Sequence, residues 1–299
     1  MGREEFCFEL YTIAKMISSL HYTGGDAFQQ EKRTVFSTEW LPIGVAGQLS
    51  ATGSYVSATI GGWPVFAVRG ADGALRAFRN TCRHKGMMVV EQPAGRCDAL
   101  RCRYHGWTYG LDGRFREAPT PVAPHNPDSP EHHLAPLGVE CWRAIVFVNL
   151  EPAAGAGDYG ALERFVNTQG GAPGEYAMSI ASDIGCNWKA YLEHALADRA
   201  AAWHWPLVIV RTDRDATVVE QIMPRTFLRT RAIAHVFVRD AGAREAIMAR
   251  ETARADETRS ACEALQAARA GGKAAALDEP RIAALHGRLL EAYSLPAEH

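Results

Sequence analysis

Thr81-Cys82-Arg83-His84-Lys85-Gly86 and Cys102-Arg103-Tyr104-His105-Gly106-Trp107 decide how this chain is read. Together they give Cys-x-His, seventeen intervening residues, then Cys-x-x-His. Two thiolates and two neutral imidazoles can share a [2Fe–2S] cluster, with Cys82 and Cys102 on one iron and His84 and His105 on the other. Replacing two thiolates by imidazoles removes negative charge and raises the potential above that of an all-Cys cluster. A structural zinc site is the competing reading, because Cys2His2 also suits tetrahedral zinc. Zinc fingers usually put both Cys in one pair and both His in the other, whereas each pair here is mixed. Each pair is followed by a glycine, Gly86 and Gly106, which suits tight loops folding over a metal.

The flanking residues carry a resemblance. Phe78-Arg79-Asn80-Thr81-Cys82-Arg83-His84 and Cys102-Arg103-Tyr104-His105-Gly106-Trp107-Thr108-Tyr109 resemble the Rieske domain of ring-hydroxylating and N-demethylating oxygenases, the Rieske non-haem iron oxygenases. The resemblance implies a Rieske [2Fe–2S] cofactor on Cys82, His84, Cys102 and His105. Respiratory-type Rieske proteins carry an extra disulfide-forming Cys in each loop; Met87 and Tyr104 stand at about those places. That implies a potential toward the low end of the Rieske range. Trp107, next to the second loop, is expected to shield the cluster from water.

With 299 residues, the chain can hold two modest domains. Hydrophobic content of 47% and charged content of 22% are those of a globular protein. A formal net charge of −2 gives no reason to expect nucleic acid or an anionic membrane as partner. No apolar run reaches the length that spans a bilayer. The start, Met-Gly-Arg-Glu-Glu, does not read as a secretory leader, so a cytoplasmic location is expected. Beyond the cluster pair, Cys7, Cys97, Cys141, Cys186 and Cys262 read as buried free thiols.

The expected fold class is α+β: an antiparallel β Rieske domain followed by a truncated helix-grip domain, an antiparallel sheet with helices. The expected division is 1–33, an N-terminal helical segment packing on the C-terminal domain; 34–155, the Rieske domain; and 156–299, the truncated oxygenase-like domain. A helix is expected at about 4–20, then a Gly-containing loop. Short strands follow at Tyr55–Ile60, Pro64–Arg69, Leu75–Asn80 and Ala144–Leu150. Ala71-Asp72-Gly73 and Leu111-Asp112-Gly113-Arg114 read as hairpin turns. Later, helices are expected at Leu162–Asn167, Asn187–Ala202, 240–270 and 279–293. Between the second and third of these, strands are expected at Leu207–Arg211, Thr217–Pro224 and Arg229–Val238. His132-His133 reads as a surface pair in a Pro-rich loop. Arg83, Lys85, Arg101 and Arg103 read equally as a solvated rim or as a docking face for an acidic ferredoxin or a partner subunit.

In the resembling family, oxygen chemistry takes place at a separate ferrous iron, held by two His and one carboxylate. Its motif is Asn-Trp-Lys, a short helix, then acid-x-x-His-x-x-x-x-His-Pro. Asn187-Trp188-Lys189, Glu193 and Trp205-Pro206 match the ends of that motif without a gap. Ala197 then falls at the bridging acid, Ala200 at the first His and Trp205 at the second. The family's third ligand aligns with Thr258, beside Asp256 and Glu257. The several dozen pocket-building residues expected after His-Pro are missing, since Pro206 runs straight into Leu207-Val208-Ile209-Val210.

The chain therefore resembles a degenerate alpha subunit without the mononuclear iron. Three functions follow as alternatives. In the first, a Rieske auxiliary subunit of a trimer-based hetero-oligomer takes electrons from a ferredoxin or a flavin/iron-sulfur reductase and passes them to a triad-bearing alpha subunit. In the second, a self-sufficient monooxygenase uses unorthodox ligands such as His194, Asp198 and His204. In the third, a structural subunit uses its cluster only as a staple.

Overall fold

The structure is a computed structural model that describes residues 17–119, 126, 128–168, 174–273 and 279–295. It divides into two compact units, Phe36–Asp158 and Met1–Val35 with Tyr159–His299. The fold is α+β, as the motifs imply. Among the described residues no helix is long and apolar enough to cross a membrane.

The first unit is built on a seven-stranded antiparallel sheet ordered β1-β10-β9-β4-β3-β2-β5. Its strands are β1 (Leu41–Val45), β2 (Ser54–Ile60), β3 (Trp63–Arg69), β4 (Leu75–Arg79), β5 (Ala94–Arg96), β9 (Pro136–Trp142) and β10 (Ile145–Asn149). A small sheet, β6 (Leu100–Arg101), β7 (Thr108–Tyr109) and β8 (Phe115–Glu117), stands beside it. The two expected turns are built alike. Gly73 and Gly113 both have positive φ, and each donates its N–H to the carbonyl three residues back, Gly70 or Gly110. Asp72 and Asp112 accept the N–H two residues on and pair with Arg76 and Arg116. Gly-x-Asp-Gly-x-x-Arg thus specifies the same Asx-stabilised hairpin turn twice. Phe66, Val68, Phe78, Leu100, Trp107, Tyr109 and Phe115 form the core under the small sheet.

The second unit has a five-stranded antiparallel sheet ordered β11-β15-β14-β13-β12. The strands are β11 (Glu175–Ile184), β12 (Ala201–His204), β13 (Val208–Thr212), β14 (Ala216–Thr226) and β15 (Arg229–Val238). Helices α1 (Leu20–Thr23), α2 (Gly25–Thr34), α3 (Gly160–Thr168), α4 (Trp188–Ala197), α5 (Arg244–Ala270) and α6 (Pro280–Ser294) complete it. The 27-residue α5 packs on the sheet through Ile247, against Ala216, Val218, Val236 and Val238.

Two expectations are corrected here. The helix expected at about 4–20 lies mostly outside the described residues, and the loop expected after it is largely α2. Phe28, Glu31 and Thr34, three apart, form the buried stripe that makes α2 a helix. The helix expected to run to Ala202 stops at Ala197. Asp198 takes an extended conformation there, and its carboxylate accepts the Ala200 N–H at 3.0 Å. Ala201 to His204 then pair with β13 as an edge strand.

Two buried ionic clusters tie the short N-terminal helices to α4 and α6. Glu31, with no exposed side chain, accepts Lys189 Nζ at 2.5 Å, Trp188 Nε1 at 2.6 Å and Tyr293 Oη at 2.5 Å. Glu193 accepts Arg269 at 2.6 Å, His286 Nε2 at 2.9 Å and the Tyr22 hydroxyl. Burial works to raise the Glu193 pKa. The hydrogen bonds from His286 and Tyr22 and the charge of Arg269 outweigh it and hold the carboxyl below its ordinary range. Asn187-Trp188-Lys189 and Glu193, the recognisable ends of the helix motif, are thus its structural anchors.

Candidate metal centre

The two motif loops have the same backbone. The Cys82 N–H donates to Met87 O at 2.7 Å and the Gly86 N–H to Cys82 O at 2.9 Å. The Cys102 N–H donates to Trp107 O at 2.8 Å and the Gly106 N–H to Cys102 O at 3.0 Å. Gly86 and Gly106 close these turns at φ +75 and +73, where a side chain would be strained. The His stands one position later in the second loop, so the two imidazoles meet. Their ring centroids are 4.6 Å apart, at 64°.

Nδ1 of His84 and Nδ1 of His105 are both buried without a hydrogen-bond partner. Two orphaned ring nitrogens in one place are costly unless something fills the gap. Cys82 and Cys102 are buried and free, with their thiols within reach of each other. Two thiols and two inward-facing Nδ1 atoms fit a mixed-ligand cluster. No three His, Cys, Asp or Glu side chains among the described residues converge on a single metal ion. A cluster that draws only two protein ligands per iron does not need them to.

The surroundings of the loops keep water out. Trp107 is 4% exposed and stacks on the His84 ring at 5.1 Å and 4°. Phe115 and His132 pack on Trp107 from its edges. His132 and His133 are thus partly buried, which corrects the expected surface pair: His133 Nδ1 accepts the Phe115 N–H at 3.1 Å. Tyr109 Oη lies 3.1 Å from Cys82 Sγ. Asn80, which sequence reasoning missed, clamps the first loop. Its Oδ1 accepts the N–H groups of Val89 and Val90, and its Nδ2 donates to Val90 O at 2.7 Å. Outside, Met87, Met88 and Tyr104 are exposed apolar side chains among the exposed Arg83, Lys85, Arg101 and Arg103.

The positions aligned with the family's mononuclear iron lie in the other unit. A cavity of about 210 Å³ is lined by Ala197, Thr258, His194, Asp198, Arg254 and Glu220, among others. Thr258 is in the middle of α5, not at a sheet end. Ala200 is exposed, and Trp205 stacks among Trp188, Trp203 and Arg288. The charged residues of its wall are ion-paired: Arg254 with Asp198 at 2.6 Å, and Arg211 with Glu220 at 2.7 Å and, outside the wall, with Glu251 at 3.1 Å. Of the unorthodox set, His194 and Asp198 share this cavity, whereas His204 packs on Tyr159.

Comparison with known proteins bears on both units. Residues 39–142 match the Rieske [2Fe-2S] domain model. A glycine betaine monooxygenase oxygenase subunit of Pseudomonas aeruginosa is 31% identical over 169 residues, 56% of this chain and 39% of the relative. A carnitine monooxygenase oxygenase subunit of Escherichia coli is 33% identical over 154 residues, 50% of this chain and 40% of the relative. The chain spans about two-fifths of the length of these curated relatives. The apo crystal structure of a quaternary ammonium Rieske monooxygenase matches over 93% of this chain and 95% of its own, with TM-score 0.78 and 19% identity. That likeness concerns the fold. Residues 39–142 are a Rieske [2Fe–2S] domain, and the chain that carries it is homologous to Rieske oxygenase alpha subunits.

Proposed function

We propose that this chain is an auxiliary electron-relay subunit of a hetero-oligomeric Rieske oxygenase, serving the mononuclear iron of a triad-bearing partner subunit. Cys82, His84, Cys102 and His105 hold the cluster in this reading, which supplies one-electron transfer when bound. Trp107, Phe115 and His132 exclude water from it. The partly exposed rings of His84 and His105 offer the shortest path to the surface. The basic rim with its apolar centre suits an acidic donor such as a ferredoxin, or a reductase.

The observation that carries this reading is the contrast between the two sites. The cluster loops bring His84 to His105 and Cys82 to Cys102, and leave both His Nδ1 atoms buried without a partner. At the aligned bridge and ligand positions stand Ala197 and then Ala200, Trp205 and Thr258, beside arginine–carboxylate pairs that already satisfy Asp198, Glu220 and Glu251. A guanidinium and a ferrous ion compete for the same carboxylates.

A second reading, a self-sufficient oxygenase, is favoured by the similarity to monooxygenase oxygenase subunits and by His194 and Asp198 in one cavity. Iron and acid-labile sulfide, counted after anaerobic reconstitution with excess ferrous iron, separate the two. Two irons with two sulfides support the relay; a third iron overturns it in favour of the second reading. The relay itself is tested by mixing the reduced chain with a triad-bearing homologue, substrate and oxygen. Product that is unchanged when the chain is added, or when its Cys82→Ser variant replaces it, sinks the idea.

A further inference from the structure

Cys186 and Cys262 take no part in the cluster, yet the fold sets them side by side. Cys186 sits at the turn from β11 into α4, and Cys262 in the middle of α5. Both are fully buried and free, and the Cys186 thiol lies close enough to that of Cys262 to shift its titration. The backbone on either side of Cys186 is pinned to the same stretch of α5. The Gly185 N–H donates to Glu263 Oε1 at 3.0 Å and the Asn187 N–H to Gln266 Oε1 at 2.9 Å. Thr230 Oγ1 donates to Cys186 O at 2.9 Å from the third side. Two of these hydrogen bonds hold the residues flanking Cys186 against the stretch of α5 that carries Cys262, and the third holds Cys186 itself to β15.

We propose that Cys186 and Cys262 form an oxidation-sensitive pair that closes to a disulfide with hydrogen peroxide and thereby locks the β11–α4 turn onto α5. One thiol sulfur attacks the peroxide, forming an S–O bond as the O–O bond breaks, and the released hydroxide leaves with the thiol proton as water. The second sulfur then displaces the sulfenic oxygen, forming the S–S bond, and that oxygen leaves as a second water with the second thiol proton. Two thiols lose two electrons, and one peroxide becomes two waters. Peroxide is the fitting oxidant because it is small and neutral, and neither sulfur is open to a bulky disulfide. The neighbouring thiol and burial push the Cys262 pKa up, so the pair rests reduced and reacts more slowly than an exposed thiolate. Local opening of the turn sets the rate.

The test is peptide mapping of cluster-loaded, full-length protein treated with a small excess of hydrogen peroxide and trapped with N-ethylmaleimide. The expected product is a linked pair of peptides carrying Cys186 and Cys262, restored to free thiols by dithiothreitol. The oxidised protein should resist urea at higher concentration than the reduced, and the difference should vanish in Cys262→Ala. The unmodified chain carries the mapping result even where that variant folds poorly. Trapped free thiols at both positions, or a Cys82–Cys102 link alone after cluster loss, overturns the proposal.

Discussion

The Tyr109 hydroxyl lies 3.1 Å from Cys82 Sγ and also accepts the Arg83 N–H at 3.0 Å. With that backbone N–H fixing the oxygen, the hydroxyl proton is free to point at the sulfur. A donor aimed at a thiolate ligand is worth more to a reduced cluster, which carries the extra electron, than to an oxidised one. Tyr109→Phe is therefore expected to lower the midpoint potential of the loaded domain. If the hydrogen bond strengthens by about 1 kcal/mol on reduction, the shift is roughly 40 mV for one electron. A potentiometric titration followed by electron paramagnetic resonance reads it, and an unchanged potential would show that the hydroxyl proton points elsewhere.

Asn80 closes three hydrogen bonds within the first loop and is 2% exposed. Asn80→Ala leaves two N–H groups and one carbonyl at the base of that loop without this partner. A loss of about 2–4 kcal/mol in stability is expected, with faster loss of the cluster, since the clamp sets where Cys82 and His84 stand. Urea unfolding and bleaching of the visible absorbance measure the two effects. A stability loss without faster bleaching would separate the clamp from the metal loop.

The cluster was legible because its signal is local. Donor residues, spacing and closing glycines lie within a few positions of one another, and the loop backbone follows from them. Asn80 is just as local but left no signal, because an Asn before a metal loop reads as any turn residue. The end of α4 was misread because Ala195 to Ala202 is rich in alanine, the best helix former. One Asx turn at Asp198 and pairing with β13 overrode that propensity. The ion pairs at Glu31, Glu193 and Arg211 were invisible for another reason. Glu31 and Lys189 lie 158 positions apart, and no periodicity links them.

Glu31 and Lys189 form an ion pair with no exposed side-chain surface. Burial pulls the Lys189 pKa down, and Glu31 holds it up in part. Lys189→Met strands a carboxylate beside Trp188 and Tyr293, and a cost of about 3–5 kcal/mol is expected. Glu31→Gln combined with Lys189→Met removes the unpaired charge and should recover most of it. A double-mutant cycle by urea unfolding decides the matter. Additive losses would mean that the two side chains act independently.

His235 is 3% exposed, with Nε2 on Gln221 Oε1 at 3.2 Å and Nδ1 without a partner. Burial lowers its pKa from 6.5 to about 4. The folded pKa lies below the unfolded one, so on acidification the unfolded chain takes up the proton first. Stability is therefore full above about pH 6.5 and falls as the pH drops to about 4. The loss from this one group is on the order of 3 kcal/mol. Glu193, held below the ordinary carboxylate range, adds its own loss as the pH falls through that range and below it. His235→Gln keeps an amide partner for Gln221 and cannot titrate, so its stability should fall less steeply than that of the parent chain, the remaining slope coming from groups such as His21 and His194, whose pKa values burial also lowers. Urea midpoints at pH 7, 6, 5 and 4 test this. Parallel slopes for the two proteins would assign the acid sensitivity to other groups and leave His235 no part in it.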